Sequence, residues 1–205
     1  MLRAAVVGMG SWGQALVESV QGKSEHLKFT AGYTRTAAKA VEFCREHGIR
    51  QAASYEEILA DRNIDAVLLA TPNSQHSQQV VQAAAAGKHV FCEKPFTLNA
   101  AAARVAIDAA RKAGIVLGVG FNRRFHPAIV ELRNRVKAGR LGVIASIVAE
   151  LTATSAFYRP AGSWRWSAEE DDEVCSEIGC HRCWLAEWDD CSSSGDCLTG
   201  LGCSR

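Results

Sequence analysis

Apolar residues run together over residues 3–7, stop at Gly8, and recur at helical spacing over residues 14–20. That change of period predicts a strand, a turn and a helix. Leu27–Tyr33 reads as a second strand. Ala37, Ala40, Val41 and Cys44 form a stripe that predicts a helix over residues 36–47, with Gly48 as its stop. Ser54 followed by Glu57 has the form of a capping box, opening a short helix to Ala60. The alternation continues with a strand over 65–71, a helix over 74–86, a strand over His89–Cys92, a helix over 99–113 and a strand over 116–120. Strands and helices that alternate in this way predict a parallel sheet with helices on both faces. A helix over 128–138 and a long strand over 143–151 follow, and could open a second sheet. From residue 168 onward no period persists.

Composition narrows the function classes. The 205 residues are 48% hydrophobic and 22% charged, the balance of a chain that buries a core. The formal net charge of +1 gives no field that would favour nucleic acid or an anionic membrane, so a small neutral partner fits better. The basic run from Arg123 to Arg140 accordingly reads as a solvated helix face. No apolar run approaches the roughly 20 residues of a membrane span. No basic leader or cleavage site precedes the first strand, so a cytoplasmic location is expected.

The first strand and helix enclose Gly8-Met9-Gly10-Ser11-Trp12-Gly13, a G-x-G-x-x-G. In that pattern the first glycine permits a tight turn, the second admits a pyrophosphate to the backbone, and the third lets helix and strand pack closely. The helix amino terminus then faces the phosphates. The chain is therefore expected to begin with a dinucleotide-binding domain of the Rossmann type over residues 1–120, with Gly8, Gly10, Ser11, Trp12 and Gly13 against the cofactor. The second strand ends in Tyr33-Thr34-Arg35-Thr36, with no acid to take the adenosine ribose of NAD. Thr34 and Arg35 suit a 2′-phosphate, which favours NADP over NAD, although Arg35 could equally be a solvated residue near a helix start.

Four further motifs stand in order behind the glycine loop: Ala70-Thr71-Pro72-Asn73 with His76, Glu93-Lys94-Pro95, the run from Gly118 to Pro127, and Ser163-Trp164-Arg165. Together they resemble the family of glucose-fructose oxidoreductase and inositol 2-dehydrogenase, nicotinamide-dependent enzymes of sugars and cyclitols. The resemblance implies a Rossmann domain followed by an α+β substrate domain, here starting over residues 121–166 and incomplete. It implies that Thr71, Pro72, Asn73 and His76 lie beside the cofactor and that Glu93 touches the nicotinamide ribose. Lys94 would reach the reacting hydroxyl, and Asn122 and Arg124 would line the cofactor and substrate cleft, Arg124 on the substrate side. Taken without the resemblance, Pro72 and Pro95 are strand terminators, His76 a helix-surface histidine and Lys94 a solvated lysine. The function implied is hydride transfer between a nicotinamide and a secondary hydroxyl of a sugar or polyol; the rival is a non-catalytic nucleotide-binding fragment. The resemblance also implies a homo-oligomer, which an incomplete second domain undercuts.

Residues 167–205 read as an irregular tail that holds six of the eight cysteines. Glu177-Ile178-Gly179-Cys180-His181 resembles the family's histidine motif, which makes His181 the candidate general base. Asp171-Asp172-Glu173 stand where glycines belong, and Glu177 and Trp184 where the motif has Asp. The composition change is what a shifted reading frame produces, and a shortened version of a longer enzyme is expected. The tail cysteines with His181 could instead hold zinc, but they offer a single C-x-x-C, so no metal is expected. Cys44 and Cys92 read as buried thiols.

Overall fold

The computed structural model describes residues 1–146. The chain divides after Gly120 into two compact units. The first is a six-stranded, all-parallel sheet in the order β3-β2-β1-β4-β5-β6, a Rossmann arrangement. Its strands are β1 Leu2–Val7, β2 Leu27–Tyr33, β3 Arg50–Gln51, β4 Ala66–Leu69, β5 His89–Cys92 and β6 Leu117–Val119. Its helices are α1 Ser11–Val20, α2 Val41–His47, α3 Tyr55–Ala60, α4 Asn73–Ala85 and α5 Ala100–Ala113.

The near-continuous apolar strands follow from burial on both faces. Ala5, Val7, Val67 and Leu69 point into one core with Ile58, Val80 and Ala106. Ala4, Val6, Ala66 and Leu68 point into the other with Val17, Phe29 and Phe43. Alanines form the inner face of α5 and the last turn of that of α4, and lose no side-chain entropy on burial. Ser77 Oγ donates to the Ala102 carbonyl at 2.9 Å and joins these two helices. Caps lie where the sequence signals them. The Ser54 hydroxyl accepts from Glu57 N at 3.1 Å, Asn99 Oδ1 accepts from Ala102 N at 2.9 Å, and Gly48 and Gly114 close α2 and α5 with positive φ.

The expected elements need four corrections. Helix α1 begins at Ser11, three residues early, because the glycine loop is tight enough to start it at once. The helix expected over 36–47 is broken: a 3₁₀ turn at Ala37–Lys39 precedes α2, and buried Ala40 marks the join. The two-residue β3 was not expected, being too short to show a period. Residues 143–146 form no strand, and the rest of that expected strand lies outside the described residues. In the second unit a 3₁₀ turn at Asn122–Phe125 leads into α6, Pro127–Lys137, with proline in its first turn and the His126 ring accepting from Ala128 N.

The amino-terminal edge of the sheet is held by charge. Asp65 accepts from Arg3 Nη2 at 2.7 Å, Arg3 Nε at 3.0 Å and Arg3 N at 2.8 Å, and buried Lys88 donates to the carbonyls of Asp61 and Ile64. The hydrogen bonds from Arg3 hold the Asp65 carboxyl well below the usual carboxylate range. A carboxyl depressed in the folded state adds stability above its unfolded pKa of about 3.9, and loses it as pH falls toward the folded value. Asp65→Asn is therefore expected to lower the melting temperature at pH 7. Melting curves of variant and parent should converge as the pH is taken below about 4, and a gap that stays constant down to strong acid would contradict the ion pair's role.

Candidate dinucleotide site

Strand order reverses between β1 and β4, and ligands in open parallel sheets bind outside the carboxyl ends of strands at such a point. The loop after β1 starts at Gly8, with φ of 94°, whose N–H donates to the Tyr33 carbonyl at 2.8 Å and ties it to the end of β2. A Cβ on Gly8 would overlap the Ala70 carbonyl oxygen, and a Cβ on Gly13 would overlap the Gly8 carbonyl oxygen. Gly10 differs: a Cβ there meets nothing within 4 Å, and its extended backbone, with φ of −74°, suits any residue. Two glycines are thus required by packing, and the third by the space in front of α1. Ser11 is exposed and Trp12 is 44% exposed at the start of that helix. Met9 is buried inside the turn, where a Cβ on Gly32 would lie 2.8 Å from its sulfur.

At the end of β2, Thr34 is half-buried and Arg35 exposed, and Arg35 forms no ion pair among the described residues. After β4 come Thr71, Pro72 and Asn73, which open α4. The Thr71 hydroxyl donates to Gln79 Oε1 at 2.5 Å, and Pro72 caps α4 without a side-chain bond. Asn73 is 4% exposed, and its Nδ2 has no hydrogen-bond partner among the described residues. Such a buried orphan donor costs about 1–3 kcal/mol and calls for a partner from outside the protein.

His76 is fully buried, not on the helix surface. Its Nδ1 lies 2.9 Å from the Pro95 carbonyl oxygen and its Nε2 3.0 Å from that of Thr71. A singly protonated ring serves one carbonyl at a time, and a doubly protonated ring serves both. After β5, Glu93 is 6% exposed and its carboxylate accepts from Lys94 N at 3.2 Å. Lys94 is half-buried, and its peptide bond to Pro95 is cis. Beneath them Cys92 is buried, and burial together with the Glu93 charge pushes its thiol up.

Two contributors were given no role by the sequence, although Gly120 lies within the run from Gly118 to Pro127. A Cβ on Gly120 would lie 2.6 Å from Glu93 Oε1, so the bare end of β6 makes room for that carboxylate. Nothing distinguishes this glycine from a strand terminator until β6 is seen beside β5. Gln79 anchors Thr71 from two turns along α4, and its place on the helix's inner face was the available signal. Asn122, exposed, and Arg124, half-buried, belong to the second unit. His181 and the tail cysteines lie outside the described residues, and among the described residues no group of three metal-ligating side chains comes together.

The family model described as "Oxidoreductase family, NAD-binding Rossmann fold" matches residues 2–121. The chain belongs to this family, that of the glucose-fructose oxidoreductase and inositol dehydrogenase relatives. It is 36% identical over 146 residues to scyllo-inositol 2-dehydrogenase (NAD(+)) of Bacillus subtilis, covering 69% of this chain and 42% of that protein. It is 33% identical over 159 residues to scyllo-inositol 2-dehydrogenase (NADP(+)) of the same organism, covering 77% and 48%. The solved scyllo-inositol dehydrogenase from Lactobacillus casei with bound cofactor NAD(H) and scyllo-inositol superposes with a TM-score of 0.66 at 27% identity, covering 69% and 42%. The chain thus spans somewhat less than half the length of these relatives.

The residues present fit a nicotinamide dinucleotide. Gly10 leaves room for a pyrophosphate at the amino terminus of α1, and the orphan Asn73 Nδ2 supplies a donor beside β4. Gly10→Val should leave thermal unfolding within about 0.5 kcal/mol of the parent while abolishing dinucleotide binding in calorimetry. Gly13→Ala should instead destabilise by on the order of 1–3 kcal/mol. Equal destabilisation by both, or Gly10→Val with parental affinity, would refute this division of labour.

Proposed function

We infer that the chain holds a nicotinamide dinucleotide across the carboxyl ends of β1, β2, β4 and β5. We infer further that the protein moves hydride between it and a secondary hydroxyl of a sugar or cyclitol. The observation that carries the reading is the buried Asn73 side chain, whose Nδ2 has no hydrogen-bond partner among the described residues, at the point where strand order reverses. The names of the inositol dehydrogenases above support the substrate class. Both NAD and NADP enzymes stand among those relatives, so the preference for NADP rests on Thr34 and Arg35.

The cofactor, when bound, supplies the hydride chemistry. The glycine loop receives its pyrophosphate, with Ser11 and Trp12 at the helix start. Asn73, Thr71 and Pro72 would hold the nicotinamide half, Asn73 through its Nδ2 donor, and the Glu93 carboxylate would accept from its ribose hydroxyls. The Lys94 ammonium donates to the reacting oxygen of the substrate and favours the developing alkoxide. Asn122 is assigned to the cofactor and Arg124 to the substrate, and His181 is assigned the hydroxyl proton as general base.

Arg35→Asp should turn preference from NADPH toward NADH. Charge-assisted hydrogen bonds contribute about 1.5–3 kcal/mol, so fluorescence titration should record a shift in the affinity ratio of about ten- to hundredfold. An unmoved ratio would make Arg35 a solvated bystander. In a polyol oxidation screen, turnover that falls about 10²–10⁴-fold in Lys94→Ala with dinucleotide affinity retained supports the catalytic assignment. Dinucleotide binding with no oxidation of any polyol would leave the chain a nucleotide-binding module.

A further inference from the structure

Helix α4 presents three buried polar residues at intervals of three: Asn73, His76 and Gln79. Polar side chains are placed in a core at a penalty unless hydrogen-bonded, so each needs a reason to be there. Gln79 serves the scaffold: its side chain takes the Thr71 hydroxyl, and its backbone carbonyl takes the Tyr55 hydroxyl at 2.8 Å. Asn73 carries the Nδ2 that has no partner among the described residues. His76 lies between them along the helix, and its ring reaches two separate loops.

Those loops, after β4 and β5, carry the groups on which cofactor and substrate would rest. Strands β4 and β5 are paired up to Leu69 and Cys92, and Glu93 N donates to the Leu69 carbonyl at 2.9 Å. Past that bond, among the described residues, no backbone hydrogen bond joins residues 70–73 to residues 94–96. The His76 ring spans this gap, with Nδ1 against the Pro95 carbonyl and Nε2 against the Thr71 carbonyl, and it donates to both at once when doubly protonated. Thr71 is two residues from Asn73, and Pro95 is next to Lys94.

We propose that His76 is a positioning residue, whose buried ring clamps the loop after β4 to the loop after β5 and thereby sets Asn73 against Glu93 and Lys94. It acts through those loops, with no contact of its own to cofactor or substrate. This departs from the expectation that His76 lies against the cofactor, and it rests on the cofactor reading above. The clamp governs the nicotinamide half of the site alone, because the glycine loop and the end of β2 are held by their own bond from Gly8 N to the Tyr33 carbonyl.

The test compares the full 205-residue chain with His76→Leu and His76→Gln, titrated with NADH, NADPH and ADP. The clamp predicts that His76→Leu weakens both reduced dinucleotides about tenfold or more, the scale of one lost hydrogen-bonding contact. ADP, which reports the glycine loop and the adenosine end, should bind within about twofold of the parent. His76→Gln, with one donor able to reach one loop, should recover part of the loss. Parallel weakening of all three ligands, as general damage to the fold would produce, overturns the proposal. Undiminished NADH and NADPH affinity in both variants also overturns it. If His76→Leu does not fold, His76→Gln against the parent gives the same comparison. A parent that binds ADP yet neither reduced dinucleotide refutes the cofactor reading itself, whereas a parent that binds all three leaves the clamp alone on trial.

Discussion

Gly8 turns through a positive φ with the Ala70 carbonyl lying where its side chain would begin, and its own carbonyl in turn occupies the place of a side chain on Gly13. This stack of three backbones sets how closely the ends of β1 and β4 approach and where α1 starts. The open space before Gly10, the orientation of the first turn of α1 and the position of Thr71 to Asn73 all depend on it. A methyl group at Gly8 would separate the ends of β1 and β4 where the strand order reverses, and one at Gly13 would push α1 off the loop after β1.

Most of the first unit was legible because its strands are buried on both faces and its helices on one, which writes two different periods into the chain. Leu27–Tyr33 and His89–Cys92 match their apolar runs residue for residue, and Gly48, Gly87 and Gly114 stop helices as their left-handed backbone requires. The misses have physical causes. A two-residue strand such as Arg50–Gln51 has no period, and a helix broken at Ala40 keeps its apolar spacing through the break. The order of the motifs pointed to the residues of the site. Their relations were hidden, since Gly120 and Glu93 are far apart in sequence and meet only because β6 lies beside β5.

His76 illustrates the limit best. Read locally, a histidine in a glutamine-rich, alanine-rich helix is a surface residue, and the helical period around it gives no contrary sign. Its burial follows from the approach of a second loop, from residues nineteen positions later in the chain, whose Pro95 carbonyl needs a donor. The inner face of α4 is therefore split by function along its length. Its first two turns serve the loops at the carboxyl edge, and its later turns, through Val80, Ala83 and Ala84, serve the apolar core. The opposite edge of the sheet, tied by Arg3, Asp65 and Lys88, uses charge for architecture, whereas the carboxyl edge keeps the buried polar side chains of Asn73 and Glu93.

The vacancy at Gly10 bears on how such a domain ages in a genome. Selection for a folded chain guards Gly8 and Gly13, where a Cβ would overlap a carbonyl oxygen, but makes no such demand on Gly10, which on the reading proposed above is guarded by the dinucleotide alone. A gene copy released from that need would drift at Gly10 first and remain a well-folded protein. Across descendants of this chain, a side chain at position 10 beside intact glycines at 8 and 13 would mark a lineage that kept the architecture after giving up the ligand.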